Sequence, residues 1–322
     1  MGNIKIEKLS DSINDSLFEL AKYDEMAAAQ GGYSNYSYWG STFQVFAKNK
    51  VALTFLFIMI FLVCFTILQP YLPNQKSPTE ITIDPVTNMQ LRNHPPSKEF
   101  IFGTNNIGQD LWSRIWSGAR TSLTIGLLVG LWEAIIGIII GALWGYVRKL
   151  DRIITEIYNV LNNIPTTIIL VLLTYIMRPS MGTLIFAMCM TGWLGMARFV
   201  RNQIVIIRDR EYNLASRCLG TPTSRIITRN LLPYLVSVIM LRMALAIPAA
   251  IGSEVFLTYI GLGLPISIPS LGNLINEGRI VMMSQSLRYQ LIFPAIILSI
   301  ITISFYIIGN VFADAADPRN HV

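Results

Sequence analysis

The stretch RNQIVIIRDREYNLASRCLGTPTSRIITRNLLP, from Arg201 to Pro233, decides how the rest of the chain is read. It has helical character through Leu219. Gly220 then offers a residue that accepts the left-handed backbone of a helix stop, and Pro222 two positions later forbids continuation. Thr221 can serve as N-cap with Pro222 at the first helical position, so a second helix restarts at once and runs to Pro233. The result is a helix–turn–helix. A plain connection between two neighbouring elements needs only about 2–8 residues, and this one is several times longer, with mixed apolar and arginine-rich content. Such a segment is built to touch something. Leu214, Ala215 and Leu219 make a small apolar knob, and Arg210, Glu211 and Arg217 around it can pair with charges on a partner.

On either side the chain turns apolar. Of 322 residues, 52% are hydrophobic and only 14% charged, and the mean hydropathy is +0.50. These values point to a protein built for lipid. Apolar runs long enough to cross a bilayer predict six spans, at 51–69, 121–147, 157–177, 182–200, 234–264 and 290–312. The fifth contains Pro248 and exceeds the length of a simple span. It therefore either kinks or continues past the membrane face until Pro265 and Pro269 break it.

The net charge of +6 would suit nucleic acid, but the basic residues flank apolar runs instead of forming one basic face. With the N-terminus inside, sixteen Lys and Arg fall in cytoplasmic segments and eight in outer ones, which puts both termini in the cytoplasm. The first 47 residues carry no cleavable signal, so the first span is expected to act as the insertion signal. Cys64, Cys189 and Cys218 sit at unrelated spacings and support neither a disulfide framework nor a metal site.

This gives a division into an N-terminal cytoplasmic segment (1–50), a first transmembrane helix (51–69) and an extracytoplasmic loop (70–120). A five-helix core (121–312), which includes the loop 201–233, and a short cytoplasmic tail (313–322) complete it. Within the first segment, Trp39, Phe43 and Phe46 keep helical spacing beside Lys48 and Lys50. We read Tyr38–Asn49 as an elbow helix lying in the membrane interface; the alternative is the aromatic belt of an early first span. Leu9, Ile13, Leu17 and Leu20 suggest a further amphipathic helix upstream.

Ionisable groups inside spans are costly and are functional candidates by default. Glu133, Arg242 and Glu254 are therefore taken as residues of a translocation pathway or gate. Against this stand plainer readings: a buried pair or hydrogen-bonded acid at Glu133, a snorkelling Arg242 and a structural hydrogen bond at Glu254. Gly126, Gly130, Gly137, Gly141 and Gly145 recur at steps of four or seven and permit close helix approach, most simply within the subunit.

The segment Arg201–Pro233 resembles the cytoplasmic loop of bacterial ABC importer permeases, with its Glu-Ala-Ala, then Gly, then Leu-Pro pattern. Ala215, Gly220, Leu232 and Pro233 match. Leu214 stands in place of the Glu, Ser216 in place of the second Ala, and Asn230 in place of the usual Ile. Further blocks resemble the dipeptide and oligopeptide permeases of the C-subunit type. These are Phe102 to Asp110 with Ser113-Arg114 and Gly118 to Arg120, where Gln109 replaces an Arg. Leu150-Asp-Arg152 with Asn163-Ile-Pro165, Glu254 leading into Tyr259 to Gly263, Ile268 to Gly272, and Ala313-Asp314 with Asp317 to Arg319 follow in order. The likeness covers roughly Trp39 to Arg319.

The resemblance implies an all-α, polytopic, type I ABC importer permease fold with six transmembrane helices in the bacterial cytoplasmic membrane. It implies import of peptides, with a nickel chelate as another cargo of the same family. Partners would be a second homologous permease, two cytoplasmic ATPase subunits that carry the ATP and Mg, and an extracytoplasmic peptide-binding protein. No cofactor is implied on this chain. The helix before Gly220 would dock into the ATPase, which assigns Arg210, Glu211, Tyr212, Asn213, Leu214, Ala215, Ser216, Arg217, Leu219, Gly220, Thr221 and Pro222 to the coupling interface. Docking would lean on apolar fit and flanking arginines, because Leu214 replaces the Glu.

Other classes fare worse on the residues. No Gly-x-x-x-x-Gly-Lys-Ser/Thr pattern occurs, so ATP hydrolysis is expected on another polypeptide. An intramembrane enzyme would need converging catalytic groups, yet His94 and His321 lie outside the spans. An ion-driven secondary transporter would call for several intramembrane carboxylates and an internal repeat, for which Glu133 and Glu254 are thin support.

Overall fold

Residues 38–85 and 88–317 are described by the computed structural model. The upstream amphipathic helix expected around Leu9 to Leu20 lies outside them. The described residues from 42 onward form one compact unit, and of the preceding unit only 38–41 are described.

The elements are helical. Helix α1 (Tyr38–Lys48) covers the stretch expected as the elbow except for its last residue, Asn49. Asn49 then breaks from helical geometry and its side chain accepts from the backbone N–H groups of Val51 and Ala52, both at 3.1 Å, which starts α2 (Lys50–Leu68). The long helix α3 (Leu111–Tyr146) begins where Asp110 caps it, taking the Ser113 N–H at 2.9 Å and the Ser113 hydroxyl at 2.7 Å. Charges in its first turns explain why the sequence placed this start ten residues later, at 121. Arg114 and Arg120 look like loop residues, but Arg114 is paired with Glu277 at 2.6 Å and Arg120 donates to the Thr66 carbonyl at 2.9 Å. The segment 70–120 is thus a loop only as far as Asp110.

The third expected span, 157–177, is a second correction. It is split between α4 (Arg148–Asn162) and α5 (Thr166–Met177), which meet at 74°. Pro165 lacks an N–H and disfavours helical backbone at Ile164, so the helix cannot run through. Then come α6 (Met181–Ile207), α7 (Glu211–Cys218), the single turn α8 (Thr223–Ile226), α9 (Val236–Tyr259), α10 (Leu271–Val281) and α11 (Tyr289–Ala315). A π-helical stretch, Ile227–Leu231, and a 3-10 turn, Pro233–Leu235, carry α8 into α9, so the fifth span extends over Thr223–Tyr259. Pro248 sits inside α9, and the helix ends at Tyr259, before Pro265. Among the described residues, five stretches are long and apolar enough to cross a membrane, and the bent pair makes up to six.

Between membrane helices there is no water to expel, so packing depends on how closely backbones approach. The glycine stripe of α3 does this within the subunit. A Cβ at Gly141 would stand 2.5 Å from the Ala197 carbonyl oxygen, and one at Gly137 2.5 Å from Met196 Cβ, so α6 lies directly on α3. Gly126 and Gly130 receive Ile247 and Ile251 of α9 in the same way.

At one end of the bundle, the described residues of 70–110 form an ordered cap with isolated bridges at Ile81–Gln109, Ile83–Gln90 and Thr104–Asp110. The Tyr289 hydroxyl donates to the His94 and Thr104 carbonyls at 2.9 Å each, tying the cap to the start of α11. At the other end, Val200, Ile204, Ile207, Ile226, Leu231 and Leu235 build an apolar core beneath the arginine-rich segment.

Candidate functional site: the coupling segment and the intramembrane charges

The segment 201–233 is not one helix before Gly220, as its composition suggests, but two. Helix α6 ends at Ile207, the chain turns at Arg208–Arg210, and α7 runs separately from Glu211 to Cys218. Side chains make that corner. Asn213, fully buried, donates from Nδ2 to the Ile207 carbonyl at 2.9 Å and so satisfies an open end of α6. Asp209 gathers guanidinium groups: Arg217 at 2.9 Å, Arg208 at 3.3 Å and Arg148 at 3.6 Å. Arg217, with Arg208 and Arg148, holds the Asp209 carboxyl below the ordinary aspartate range.

The stabilisation that goes with a lowered acid pKa is present above the ordinary range and is lost as pH falls through the lowered value. Asp209→Asn is therefore expected to speed amide exchange at the 207–213 corner at about pH 7, and the difference from the unsubstituted protein should shrink as pH falls through the lowered value. Hydrogen exchange compared at each pH tests this.

The helix stop behaves as its residues require. Gly220 has φ +74°. Its N–H bonds to the Arg217 carbonyl at 3.0 Å, while the Thr221 N–H bonds to the Ser216 carbonyl at 3.1 Å. This pair of bonds closes a Schellman turn. Pro222, not Thr221, precedes the next helix, with no side-chain cap.

Asn230, which takes the place of an Ile in the resembled pattern, donates from Nδ2 to Asn213 Oδ1 and Ser216 Oγ, each at 3.3 Å. It clasps α7 to the π-helical stretch. Neither the Asn213–Asn230 clasp nor the Asp209 hub was singled out from the sequence. Polar residues spaced across the Gly220 turn were the available signal.

What this leaves on the surface is a short helix with an apolar side. Tyr212, Leu214 and Ala215 are exposed, and Leu219 is 86% exposed. Arg210 and Glu211 are exposed beside them. Arg217 is engaged with Asp209 and the Arg208 carbonyl, and Asn213 is buried, so these two shape the knob from within.

Of the three intramembrane ionisable residues, Glu254 stands apart. It is fully buried, accepting from Ser270 at 2.8 Å, Ser122 at 3.1 Å and Thr258 at 3.2 Å. It thereby joins α3, α9 and the capped start of α10. Glu133 and Arg242 come together elsewhere, lining one cavity of about 130 Å³ between α3, α6 and α9. They lie more than 4 Å apart, since no ion pair joins them among the described residues.

Comparison with known proteins adds to this geometry. A family model described as the inner membrane component of binding-protein-dependent transport systems matches residues 133–322. Another, described as the N-terminal TM domain of oligopeptide transport permease C, matches residues 37–96. The oligopeptide transport system permease protein AmiD of Streptococcus pneumoniae is 37% identical, over 96% of this chain and 99% of the relative. The dipeptide transport system permease protein DppC of Bacillus subtilis is 36% identical, over 96% and 94% of the two chains. The oligopeptide transport system permease protein OppC of Bacillus subtilis is 32% identical, over 96% and 98%. Among solved structures, a chain of the MetNI methionine ABC transporter in an inward-facing conformation superposes with a TM-score of 0.51. It is 20% identical, with 64% of this chain and 96% of that one covered. The fold is that of the type I ABC importer permeases.

Proposed function

This chain belongs to the family of inner membrane components of binding-protein-dependent transport systems, and from that footing we propose that it forms half of the translocation pore of an ATP-driven peptide importer. It is a multi-pass membrane protein, and its relatives are transport permeases. The other half of the pore is a second, homologous permease. Two ATPase subunits hold ATP and Mg on the cytoplasmic side, and an extracytoplasmic protein delivers the peptide. The chain itself carries no catalysis and no cofactor, and both termini lie in the cytoplasm. The relatives' names favour this reading over an ion-driven carrier.

The observation that carries the proposal is α7. An eight-residue helix is fixed by the Asn213–Asn230 clasp, the Asp209 hub and the Gly220 turn, with its apolar residues turned outward. A rigid knob of this kind transmits force in both directions. Closure of the ATPases against Leu214 and Leu219 would press on α7, and the apolar core of Val200, Ile204, Ile226 and Leu231 would pass the displacement to α6 and α9.

Gly220 provides the test. A Cβ there meets nothing within 4 Å, so the only obstacle to substitution is the backbone, at φ +74°. Gly220→Val is expected to strain the turn by about 1–2 kcal/mol and lower ATP-dependent peptide uptake severalfold. Gly220→Asn, which tolerates this backbone, should retain most of it. Uptake unchanged in Gly220→Val, with normal membrane insertion, would remove the coupling role.

A further inference from the structure

The cavity between α3, α6 and α9 holds two opposite charges that make no direct ion pair with each other. Helices α6 and α9 each pack on α3 but touch one another only sparsely, which leaves a cleft with α3 as its floor. Glu133 rises from that floor and Arg242 from the α9 wall. Among the described residues Glu133 makes no hydrogen bond or ion pair. The Arg242 guanidinium lies 5.7 Å from the centre of the Phe199 ring.

The walls are cut back to make room for the charges. A Cβ at Gly192 would overlap the Glu133 carboxyl, whereas one at Gly195 would make only ordinary contact with Arg242 Nη2, at 3.8 Å. Ala246 and Ala249 line the α9 side. Small residues at these positions keep the two charged groups accessible to whatever enters.

A charge at membrane depth is tolerated where it faces a partner or a pathway. Two unpaired charges of opposite sign facing one cleft suit a solute that carries both signs. Resting on the peptide-import reading above, we propose that the Glu133–Arg242 cleft is a station on the translocation path that recognises the free ends of a peptide. The Glu133 carboxylate takes the α-ammonium group, and the Arg242 guanidinium takes the α-carboxylate, for which its two-pronged donor geometry is suited. A cleft of about 130 Å³ accommodates a chain end, not a folded segment. In a longer peptide the two ends meet their partners in turn.

The test is uptake by the complete importer in proteoliposomes, using one peptide with free ends, N-acetylated, or C-amidated. The same binding protein serves every assay, so its own preference cancels when each variant is compared with the unsubstituted permease. Glu133→Gln is expected to lower uptake of the free-ended and C-amidated forms about tenfold while leaving the N-acetylated form unchanged. Arg242→Gln should spare only the C-amidated form. Equal losses for all three forms would mean that the pair serves structure or pairs with itself, and would overturn the proposal; so would no loss at all. Arg242 is exposed in the chain, so Arg242→Gln decides the matter if Glu133→Gln fails to assemble with the ATPase. Unsubstituted complexes that import no form of the peptide with ATP would overturn peptide import itself, and this inference with it.

Discussion

Leu219→Asp is expected to abolish co-purification of the ATPase subunits and to lower ATP-driven peptide uptake about a hundredfold, with the permease still inserted and paired. Leu219 is 86% exposed and caps the C-terminal end of α7, next to the Gly220 turn. If α7 docks as proposed, Leu219 enters an apolar groove on the ATPase, and an unpaired carboxylate there would lose its hydration without compensation. In the free chain the residue meets solvent, so the substitution costs the fold nothing comparable. Leu219→Met, of similar volume, should bind normally. Leu219→Ala should fall between, since removing the buried part of a leucine costs about 1.5–3 kcal/mol. Co-purification in mild detergent and uptake in proteoliposomes read the two effects separately. Full ATPase recovery with Leu219→Asp would show that α7 docks by another face.

Much of the architecture could be read from the chain, and the places where it could not share a cause. Apolar run length located the spans because a bilayer imposes a length on any helix that crosses it. Gly220 was readable because positive φ favours glycine, and the requirement is local. The corner at Arg208–Arg210 was not, because Ile204 to Glu211 are ordinary helix residues with no breaker among them. What fixes the corner lies beyond that run: Asn213 reaching back to the Ile207 carbonyl, and Arg208 reaching the Gly145 carbonyl of α3. The start of α3 was misplaced for the same reason, since Arg114 reads as a loop residue until Glu277, 163 positions away, is known to neutralise it.

The charged residues repeat the lesson. Glu133, Arg242 and Glu254 were alike in sequence, each an ionisable group in an apolar run. Packing separates them into a hydroxyl-bound acid at a three-helix junction and two groups that face a cavity. In the same way, Asn230 in place of Ile could only be noted as a departure until its bonds to Asn213 and Ser216 gave it work. A clasp made by asparagine holds α7 by hydrogen bonds where an isoleucine would hold it by packing.

Arg114→Ala should destabilise the folded permease more than any change on the α7 surface, by about 3–5 kcal/mol. Arg114 is almost fully buried at the start of α3. One guanidinium nitrogen donates to Glu277 of α10 at 2.6 Å, and another to Gln109 of the cap. Asn105 completes the cluster, donating to Gln109 at 3.0 Å and to Glu277 at 3.3 Å. Removing the guanidinium leaves Glu277 as a mostly buried carboxylate with Asn105 as its remaining donor here. Most of the cost is the stranded charge, not the lost attraction. That argument has a second, sharper consequence. Replacing both partners together, Arg114→Met with Glu277→Leu, removes the charges and their desolvation at once and is expected to restore most of the stability. Thermal denaturation of the detergent-solubilised protein compares the two variants. If the double substitution is as unstable as Arg114→Ala, the ion pair itself, and not the avoidance of a lone buried charge, is what binds the cap and α10 to α3.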